Sequence, residues 1–96
     1  MITNIIWNDI PITIEYDPDY SKNYRETYGY GLAHIQLRAD RPLPVTQTGY
    51  KSQFIAEPLV AEYGDVTAFV TAMLDEAAQS PEWEKIQADY IQPSLF

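Results

Sequence analysis

The hydrophobic pattern of this chain changes its period once, near residue 56. Before that point apolar and polar residues alternate, as in residues 10–16, and a period of two is the pattern of a half-buried β-strand. After it the apolar residues recur at intervals of three and four, which is the spacing of an amphipathic helix. Because strands and helices occupy separate blocks, the sequence predicts an α+β domain. We expect an antiparallel sheet of three to four strands, followed by two to three C-terminal helices packed on one face.

The first predicted strand follows a turn signal. Asn8 and Asp9 suit the tight turn of a hairpin, because both residue types tolerate a positive φ. Pro11 lacks a backbone donor, so we expect an edge or a bulge at that point of the strand. The residues that should share the buried face of this strand are Ile10, Ile12, Ile14 and Tyr16.

Two more strands are predicted before residue 56. Residues 31–40 repeat the alternation. Their apolar face consists of Ala33, Ile35 and Leu37, and their polar face consists of His34, Gln36 and Arg38. Residues 43–46 are predicted as a short extended piece, 47–49 as a turn and 50–55 as the returning strand. Together these segments make residues 1–56 the strand-rich half.

The second block, residues 57–96, is the acidic helical half. Its first eight residues have proline near the start and glycine at the end, which is typical of one or two helical turns. Asp65 is the predicted N-cap of a longer helix. Ser80 and Pro81 are the predicted N-cap and first residue of another helix. The buried face of this helix should consist of Trp83, Ile86 and Tyr90, and Pro93 should end the helix.

The net charge of −8 is concentrated in this second block. Residues 1–56 hold six acids against five bases, whereas residues 57–96 hold eight acids against Lys85 alone. Phosphate contacts require lysine and arginine, so we expect no direct binding of nucleic acid. We expect instead a protein partner with a basic surface. The residues predicted to form this acidic face are Asp75, Glu76, Glu82, Glu84 and Asp89.

Length and composition set further bounds on the class of protein. The chain is long enough for a single domain, residues 1–96, with one modest core. It has no cysteine, which excludes disulfides, thiolate zinc sites and cysteine nucleophiles. No basic segment precedes a long apolar run at the N-terminus, and no stretch approaches the roughly 20 apolar residues of a membrane helix. We therefore expect a cytoplasmic protein that has no membrane contact, no cofactor and no metal.

Residues 16–31 hold five of the eight tyrosines and a partial calcium-loop pattern. The calcium loop needs glycine at its sixth position and glutamate at its twelfth, where this chain has Lys22 and Tyr28. We therefore predict an Asp-Pro-Asp turn instead of a calcium site. The three residues that imitate the start of the loop are Asp17, Asp19 and Ser21.

Three tyrosines of this segment are four residues apart. A helical turn would present the rings of Tyr20, Tyr24 and Tyr28 along one side. Tyrosine buries area while keeping a polar tip, so the rings would serve equally as cover for the sheet of their own domain or as an interface. We favour the interpretation that the rings cover the sheet, and a role of the rings in an interface remains the alternative.

Two polar features resemble reactive sites and fail the required pattern. His34 is the single histidine and lies on the polar face of a predicted strand, without the ligand spacing of a zinc site. Residues 46–52 combine glycine, hydroxyls and lysine, but a phosphate loop needs a helix directly after its Lys-Ser, and a strand pattern follows here. We interpret them as a sheet histidine and a polar hairpin.

Residues 42–52, Pro-Leu-Pro-Val-Thr-Gln-Thr-Gly-Tyr-Lys-Ser, carry a resemblance. Residues 33–55, which contain this segment, together with residues 10–20 and 66–83, resemble a group of small proteobacterial proteins that are often carried on phages, plasmids and integrated elements. Their shared core is Pro-Leu-Pro-Val-Thr-x-Thr-Gly-Tyr-(Arg/Lys)-Ser. Gln53 stands where the group has histidine, which argues against a metal or catalytic role for the motif. The resemblance implies a gene of a mobile element.

Two functional hypotheses follow. The first is a non-enzymatic interaction module, which for a mobile-element gene would be an inhibitor of a host defence system of the anti-CRISPR or anti-restriction type. It would present carboxylates where a nucleic-acid backbone would sit, and its partner would be a nucleic-acid-handling complex. The second is a small enzyme or ligand-binding domain on the polar sheet face. A homodimer built through exposed aromatics is compatible with either. The residues of the second hypothesis are His34, Arg38, Tyr50, Lys51 and Ser52.

Overall fold

The structure, a computed structural model, describes residues 1–91. Within them a four-stranded antiparallel sheet in the order β1-β2-β3-β4 is combined with four helices. The predicted α+β fold is confirmed, because the three longest strands precede the two longest helices. The elements are β1 (Ile2–Trp7), β2 (Ile10–Asp17), α1 (Lys22–Tyr28), β3 (Leu32–Ala39), β4 (Tyr50–Ala56), α2 (Glu57–Ala61), α3 (Val66–Ala77) and α4 (Pro81–Ile91).

Strands β1 and β2 form the predicted hairpin. Asn8 and Asp9 have φ values of 47° and 64°, the left-handed geometry that a two-residue turn between twisted strands requires. Strand β2 is internal, yet Pro11 meets no pairing conflict. The β2–β3 ladder begins with Ile12 opposite Ala39, so the missing N–H of Pro11 lies one residue outside it. On the β3 side, Pro11 therefore has no strand partner, which agrees with the expected edge at this residue.

The connection between β3 and β4 differs from the predicted extended piece. Leu43 and Thr46 exchange two backbone hydrogen bonds, of 2.8 and 3.1 Å, so residues 43–46 fold back on themselves as a tight turn. Proline at positions 42 and 44 fixes φ, which favours this turn. The turn inserts the Leu43 side chain into the core, where it is fully buried.

The core lies between the inner face of the sheet and helices α2, α3 and α4, whereas α1 has no buried residue. Alternation along β2 and β3 directs every second side chain inward, as the sequence predicted. The buried residues of the sheet are Trp7, Ile10, Ile12, Ile14, Ala33, Ile35 and Leu37. Those of the loop and helices are Leu43, Val60, Val66, Phe69, Val70, Leu74 and Trp83.

Both predicted caps of the longer helices are present. The Asp65 carboxylate accepts a hydrogen bond from the backbone N–H of Ala68 at 2.8 Å, which starts α3. The Ser80 hydroxyl accepts one from the backbone N–H of Trp83 at 3.3 Å, which starts α4. Capping satisfies donors that have no partner within the helix, so both helices begin where the sequence predicts.

Helix α4 is held to the core through Trp83. Its ring centroid lies 5.9 Å from that of Trp7, and both indoles are buried. Ile86, on the same face, is half-buried. The side chain of Tyr90 and the stop at Pro93 lie outside the described residues. Across residues 1–91, no helix has the length and apolar character needed to span a bilayer.

Candidate interaction surfaces

The acidic helical half presents its carboxylates to solvent. Of its eight Asp and Glu residues, seven are exposed, and Glu57 is half-buried. None of the eight forms an ion pair within residues 1–91, where the ion pairs are Arg25–Asp19 and Arg41–Asp40 in the other half. Exposed carboxylates that have no ion pair within the chain can bind an external cation or a basic side chain, which makes this half a candidate interaction surface.

Two of these carboxylates have a structural role. The Nε1–H of buried Trp7 donates a hydrogen bond of 2.7 Å to Oδ1 of Asp75. This bond ties the end of α3 to the end of β1 and satisfies the one polar group of a buried indole. Asp65 is occupied as the cap of α3. Asp75 therefore differs from its neighbour Glu76, which is exposed and for which the structure shows no side-chain partner.

The acids of α4 lie on two sides of the helix. Glu82 and Asp89 are seven residues apart, which is about two turns, so they share one side. With Lys85, they line a shallow open groove that Pro42 and Gln47 close from the loop before β4. Glu84 is rotated by about 200° from Glu82 and flanks Trp83 on the opposite side. The structure thus brings together two of the five predicted acids, and their role in partner binding stays a prediction.

The outer face of the sheet, opposite the helices, is a second candidate surface. Gln36 is its central bridge: its Nε2 donates to Oε2 of Glu15 at 3.1 Å, and its Oε1 accepts from the hydroxyl of Tyr50 at 2.9 Å. Arg38 donates to the same Oε1 at 3.3 Å, and its guanidinium lies 5.1 Å from the centre of the Tyr50 ring. A hydrogen-bonded network therefore orders polar groups across β2, β3 and β4.

His34 lies at the other end of this outer face. Its Nε2 is 2.7 Å from the Ser52 hydroxyl, and its ring stacks on Phe54 with centroids 4.4 Å apart. Tyr20 packs against both rings at centroid distances of 5.0 Å. Phe54 is nevertheless about half exposed. These four residues form what we call the aromatic platform, which offers flat apolar area next to a hydroxyl and an imidazole.

Lys51 was predicted to share this polar face with Arg38 and Tyr50, and that placement is wrong. Lys51 pairs with Leu37, which is buried on the inner face, whereas Tyr50 pairs with Arg38 on the outer face. Successive side chains of a strand point to opposite faces, so the neighbours Tyr50 and Lys51 cannot serve one site. Ser52, two residues after Tyr50, lies on the outer face as predicted.

The tyrosine prediction holds for two of its three rings. Helix α1 brings Tyr24 and Tyr28 together, with centroids 4.5 Å apart, and Tyr30 joins them. Tyr20 lies before the helix, where its backbone N–H donates to the carbonyl of Leu32, the first residue of β3, at 2.9 Å. Its ring packs against His34 and Phe54 on the outer face of the sheet and is still about half exposed, while the other three rings form a separate, partly exposed cluster.

Residues 42–52, the segment of the resemblance, build a loop that covers part of the free edge of β4. The Thr46 hydroxyl donates to the Tyr50 carbonyl at 2.9 Å, and the Tyr50 N–H reaches the Thr48 hydroxyl at 3.3 Å. Gly49 has a φ of 81°, and a Cβ there would lie 2.6 Å from the carbonyl oxygen of Ala39. The hydroxyls are therefore occupied by backbone groups, and the glycine is required by close packing.

The segment that imitates a calcium loop is a turn. One carboxylate oxygen of Asp17 accepts a hydrogen bond from the Asp19 N–H at 3.0 Å, and Asp19 pairs with Arg25. This confirms the predicted Asp-Pro-Asp turn. In the part of the chain that the structure describes, no three histidine or acidic side chains are grouped as metal ligands.

Tyr16 and Asp40, both in the strand-rich half, are among the ionisable groups with shifted pKa values. Burial raises the pKa of Tyr16 above its usual value, and the nearby carboxylates of Glu57 and Asp17 raise it further. The hydrogen bond from Arg41 lowers the pKa of Asp40. Tyr16 therefore stays neutral beside the acids, and Asp40 stays ionised beside its arginine, at neutral pH.

Sequence reasoning missed two of the contacts that define these surfaces. The Trp7–Asp75 bond joins residues 68 positions apart, and no periodic signal links a strand end to a helix end. The His34–Ser52 pair follows from the β3–β4 register, which places His34 opposite Phe54 and beside Ser52. The connection between these strands spans residues 40–49, and a loop of this length does not fix a register, so this contact had no local signal in the sequence.

Comparison with known proteins gives one family. The family model described as the KlcB third domain matches residues 2–83, from the first residue of β1 to the buried Trp83 of α4. No curated protein and no solved structure matches the chain. The matched range contains the whole sheet, the β3–β4 loop and α3, whereas Glu84 and Asp89 lie beyond it.

Proposed function

We propose that this chain, which belongs to the family of the KlcB third domain, acts as a non-enzymatic module that binds a basic protein surface through its acidic helical half. One observation carries the proposal: none of the eight carboxylates in this half forms an ion pair within residues 1–91, and seven are exposed. A surface of this kind attracts basic partners over a long range and accelerates their association.

Two features support the kind of partner that we propose, namely the spacing of the acids on α4 and the family of the chain. Glu82 and Asp89 are separated by about 10 Å along α4, which is comparable to the rise of three phosphates along one strand of a duplex. Family membership is compatible with a mobile-element protein. We therefore propose a nucleic-acid-handling complex of a host defence system as the partner, and partial nucleic-acid mimicry as the means of inhibition.

The experiment compares two variants with equal charge changes. Glu82→Gln, Glu84→Gln and Asp89→Asn remove three carboxylates from α4. Asp9→Asn, Asp17→Asn and Glu26→Gln remove three from the strand-rich half, where amides retain turn geometry. Circular dichroism first establishes that both variants are folded, because Glu82 and Glu84 also favour the N-terminus of α4. Both variants and the original chain then serve as bait in a lysate of a host cell.

The expected result is capture of a nucleic-acid-handling complex at low salt, its release at high salt and its displacement by duplex DNA or by RNA. The α4 variant should lose this capture, and the matched variant should keep it. Equal loss in both variants would show a response to net charge alone and would reject the acidic helices as the binding surface. Retention by the α4 variant would reject the proposal as well.

The aromatic platform favours a second function, the binding of a small aromatic ligand on the outer sheet face. Phe54, on which the His34 ring stacks, is about half exposed, and the Ser52 hydroxyl beside the stack offers a hydrogen bond. Titration with indole and phenol probes should shift the NMR signals of His34 and Phe54. Phe54→Ala should abolish these shifts, whereas Lys51→Ala, on the opposite face, should leave them unchanged. Identical behaviour of the two variants would exclude this site.

A further inference from the structure

Strand β1 is an edge of the sheet whose outward backbone groups have no partner within residues 1–91. The Tyr16 N–H donates to the Met1 carbonyl at 2.9 Å, and the Met1 amino group donates to the Tyr16 carbonyl at 3.2 Å. In an antiparallel ladder, such pairs alternate with residues whose N–H and C=O groups point away. With the observed register, the groups of Ile2, Asn4 and Ile6 therefore point to the free side of β1.

The side chains of β1 do nothing to protect this edge. Native edge strands are usually blunted by lysine, proline, a bulge or a covering loop. Residues 2–7 contain no charge and no proline, and their pairing with β2 is continuous. Ile2 is 66% exposed and Ile6 is 76% exposed, both on the outer face. This combination of unpaired backbone and exposed β-branched residues is the signature of an edge that accepts another strand.

The opposite edge of the sheet, strand β4, is partly protected. In β4, the outward carbonyl of Tyr50 accepts from the hydroxyl of Thr46, and the outward N–H of Tyr50 bonds the hydroxyl of Thr48. The sequence of β4 also includes a lysine, Lys51. One edge is therefore partly closed by the loop before β4, and the β1 edge remains open.

We propose that β1 pairs with β1 of a second copy of this chain, antiparallel about a two-fold axis at Asn4. This axis places Asn4 opposite Asn4 of the second copy, and Ile2 opposite its Ile6. Each facing pair consists of residues whose N–H and C=O groups point outward, so each exchanges two hydrogen bonds, about six in total. The two Ile2–Ile6 pairs bury apolar area on the outer face, and a charge-free strand brings no like charges together.

The expected dimer is weak and has a distinctive salt response. One strand pair with four isoleucines buries less than the roughly 1,200 Å² of stable interfaces, so we expect a dissociation constant in the range of about 10–1,000 μM. The two copies each carry a net charge of −8 and repel each other at long range. Salt screens this repulsion, so the dimer should tighten as salt rises. Binding of a basic partner should weaken under the same change, which keeps the two proposals separable.

Sedimentation of the full chain over a range of concentrations, at low and high salt, tests the proposal. Ile6→Lys places a charge in the pair with Ile2 of the second copy and should raise the dissociation constant at least about tenfold. Leu59→Lys is the matched control: it replaces an exposed apolar residue, on α2, by the same charge, and it should dimerise like the original chain. Ile2→Lys provides a second disruption at the other end of the strand.

Amide hydrogen exchange gives the residue-level readout. The amides of Ile2, Asn4 and Ile6 should exchange rapidly in the monomer and become protected in the dimer, whereas those of Thr3 and Ile5 are protected in both states. The proposal is overturned if the chain stays monomeric up to about 1 mM, or if Leu59→Lys weakens the dimer as much as Ile6→Lys. It is equally overturned if a dimer forms without protecting these three amides, or if β1 pairs with an extended peptide and not with a second copy.

Discussion

At the scale of single residues, adjacent acids at the end of α3 have different roles. Asp75 accepts the indole hydrogen bond of Trp7 at 2.7 Å, whereas for Glu76 the structure shows no side-chain partner. Asp75 therefore contributes to stability as well as to surface charge. A functional test that removes Asp75 would confuse folding with binding, so the binding variants use the acids of α4.

Removing the Asp75 carboxylate should destabilise the fold. Asp75→Ala leaves a buried Trp7 donor without its partner, and we expect the free energy of unfolding to fall by about 1–2 kcal/mol. Asp75→Asn retains an acceptor oxygen and should lose less. Glu76→Ala, one residue later, should change the free energy by under about 0.5 kcal/mol. Urea denaturation followed by tryptophan fluorescence measures all three, and equal effects of the two alanine variants would contradict this role.

Two glycines with nearly the same φ allow backbone strain to be separated from packing. Gly29 and Gly49 have φ values of 83° and 81°, but a Cβ on Gly29 meets nothing within 4 Å. A Cβ on Gly49 would lie 2.6 and 2.9 Å from the carbonyl oxygens of Ala39 and Arg41. Packing around the β3–β4 loop, and not φ alone, requires glycine at position 49.

Gly29→Ala should lower the free energy of unfolding by about 1 kcal/mol, the cost of a left-handed backbone for an L-residue. Gly49→Ala adds a clash with two backbone oxygens and should cost about 1–3 kcal/mol more. Thermal unfolding by circular dichroism gives the comparison. Similar losses in the two variants would show that the loop relaxes around the new methyl group, contrary to the tight approach described above.

At the scale of elements, helix α3 depends on its cap. Asp65 satisfies the N–H of Ala68 and places a negative charge at the N-terminus of the helix dipole. Asp65→Ala should lower the free energy of unfolding by about 1 kcal/mol, whereas Asp65→Asn should keep most of the cap. The same urea titration measures both. If the two substitutions cost the same, the charge and not the hydrogen bond dominates.

Elements with a strong local signal could be predicted from the sequence. Period-two alternation located β2 and β3, helical spacing located α3, and cap residues gave the starts of α3 and α4. The turn at residues 43–46 was predicted as an extended segment. Prolines at positions 42 and 44 are compatible with an extended segment and with a turn, and the Leu43–Thr46 hydrogen bonds that select the turn have no sequence signal. Lys51 was assigned to the wrong face although the strand period already separated it from Tyr50.

Contacts between elements could not be predicted in the same way. The Trp7–Asp75 bond and the Trp7–Trp83 packing depend on how α3 and α4 cross the sheet, which no local pattern encodes. The separation of Tyr20 from Tyr24 and Tyr28 likewise depends on the bond from the Tyr20 N–H to the Leu32 carbonyl, which ties the residue before α1 to the start of β3. Partition of the acids between two sides of α4 follows from the helical period once its start at Pro81 is known.

At the scale of the whole molecule, the negative charge and the unpaired backbone edge of the sheet belong to different halves of the chain. The acidic helical half holds −7 of the net charge of −8, and the uncharged β1 edge belongs to the strand-rich half. Salt should weaken a contact made by the first surface and strengthen a contact made by the second. In the two proposals, the dimer uses the backbone edge of β1, and the basic partner uses the carboxylates of α4.

The most direct test of the acidic surface is the salt dependence of binding to the captured partner. We would measure association rates for the original chain, the α4 variant and the charge-matched variant of the strand-rich half at several salt concentrations. The prediction is that the α4 variant associates more slowly and has a shallower dependence on salt, while the matched variant behaves like the original chain. Indistinguishable rates and salt dependences for the two variants would contradict the claim that the acidic helices form the binding surface.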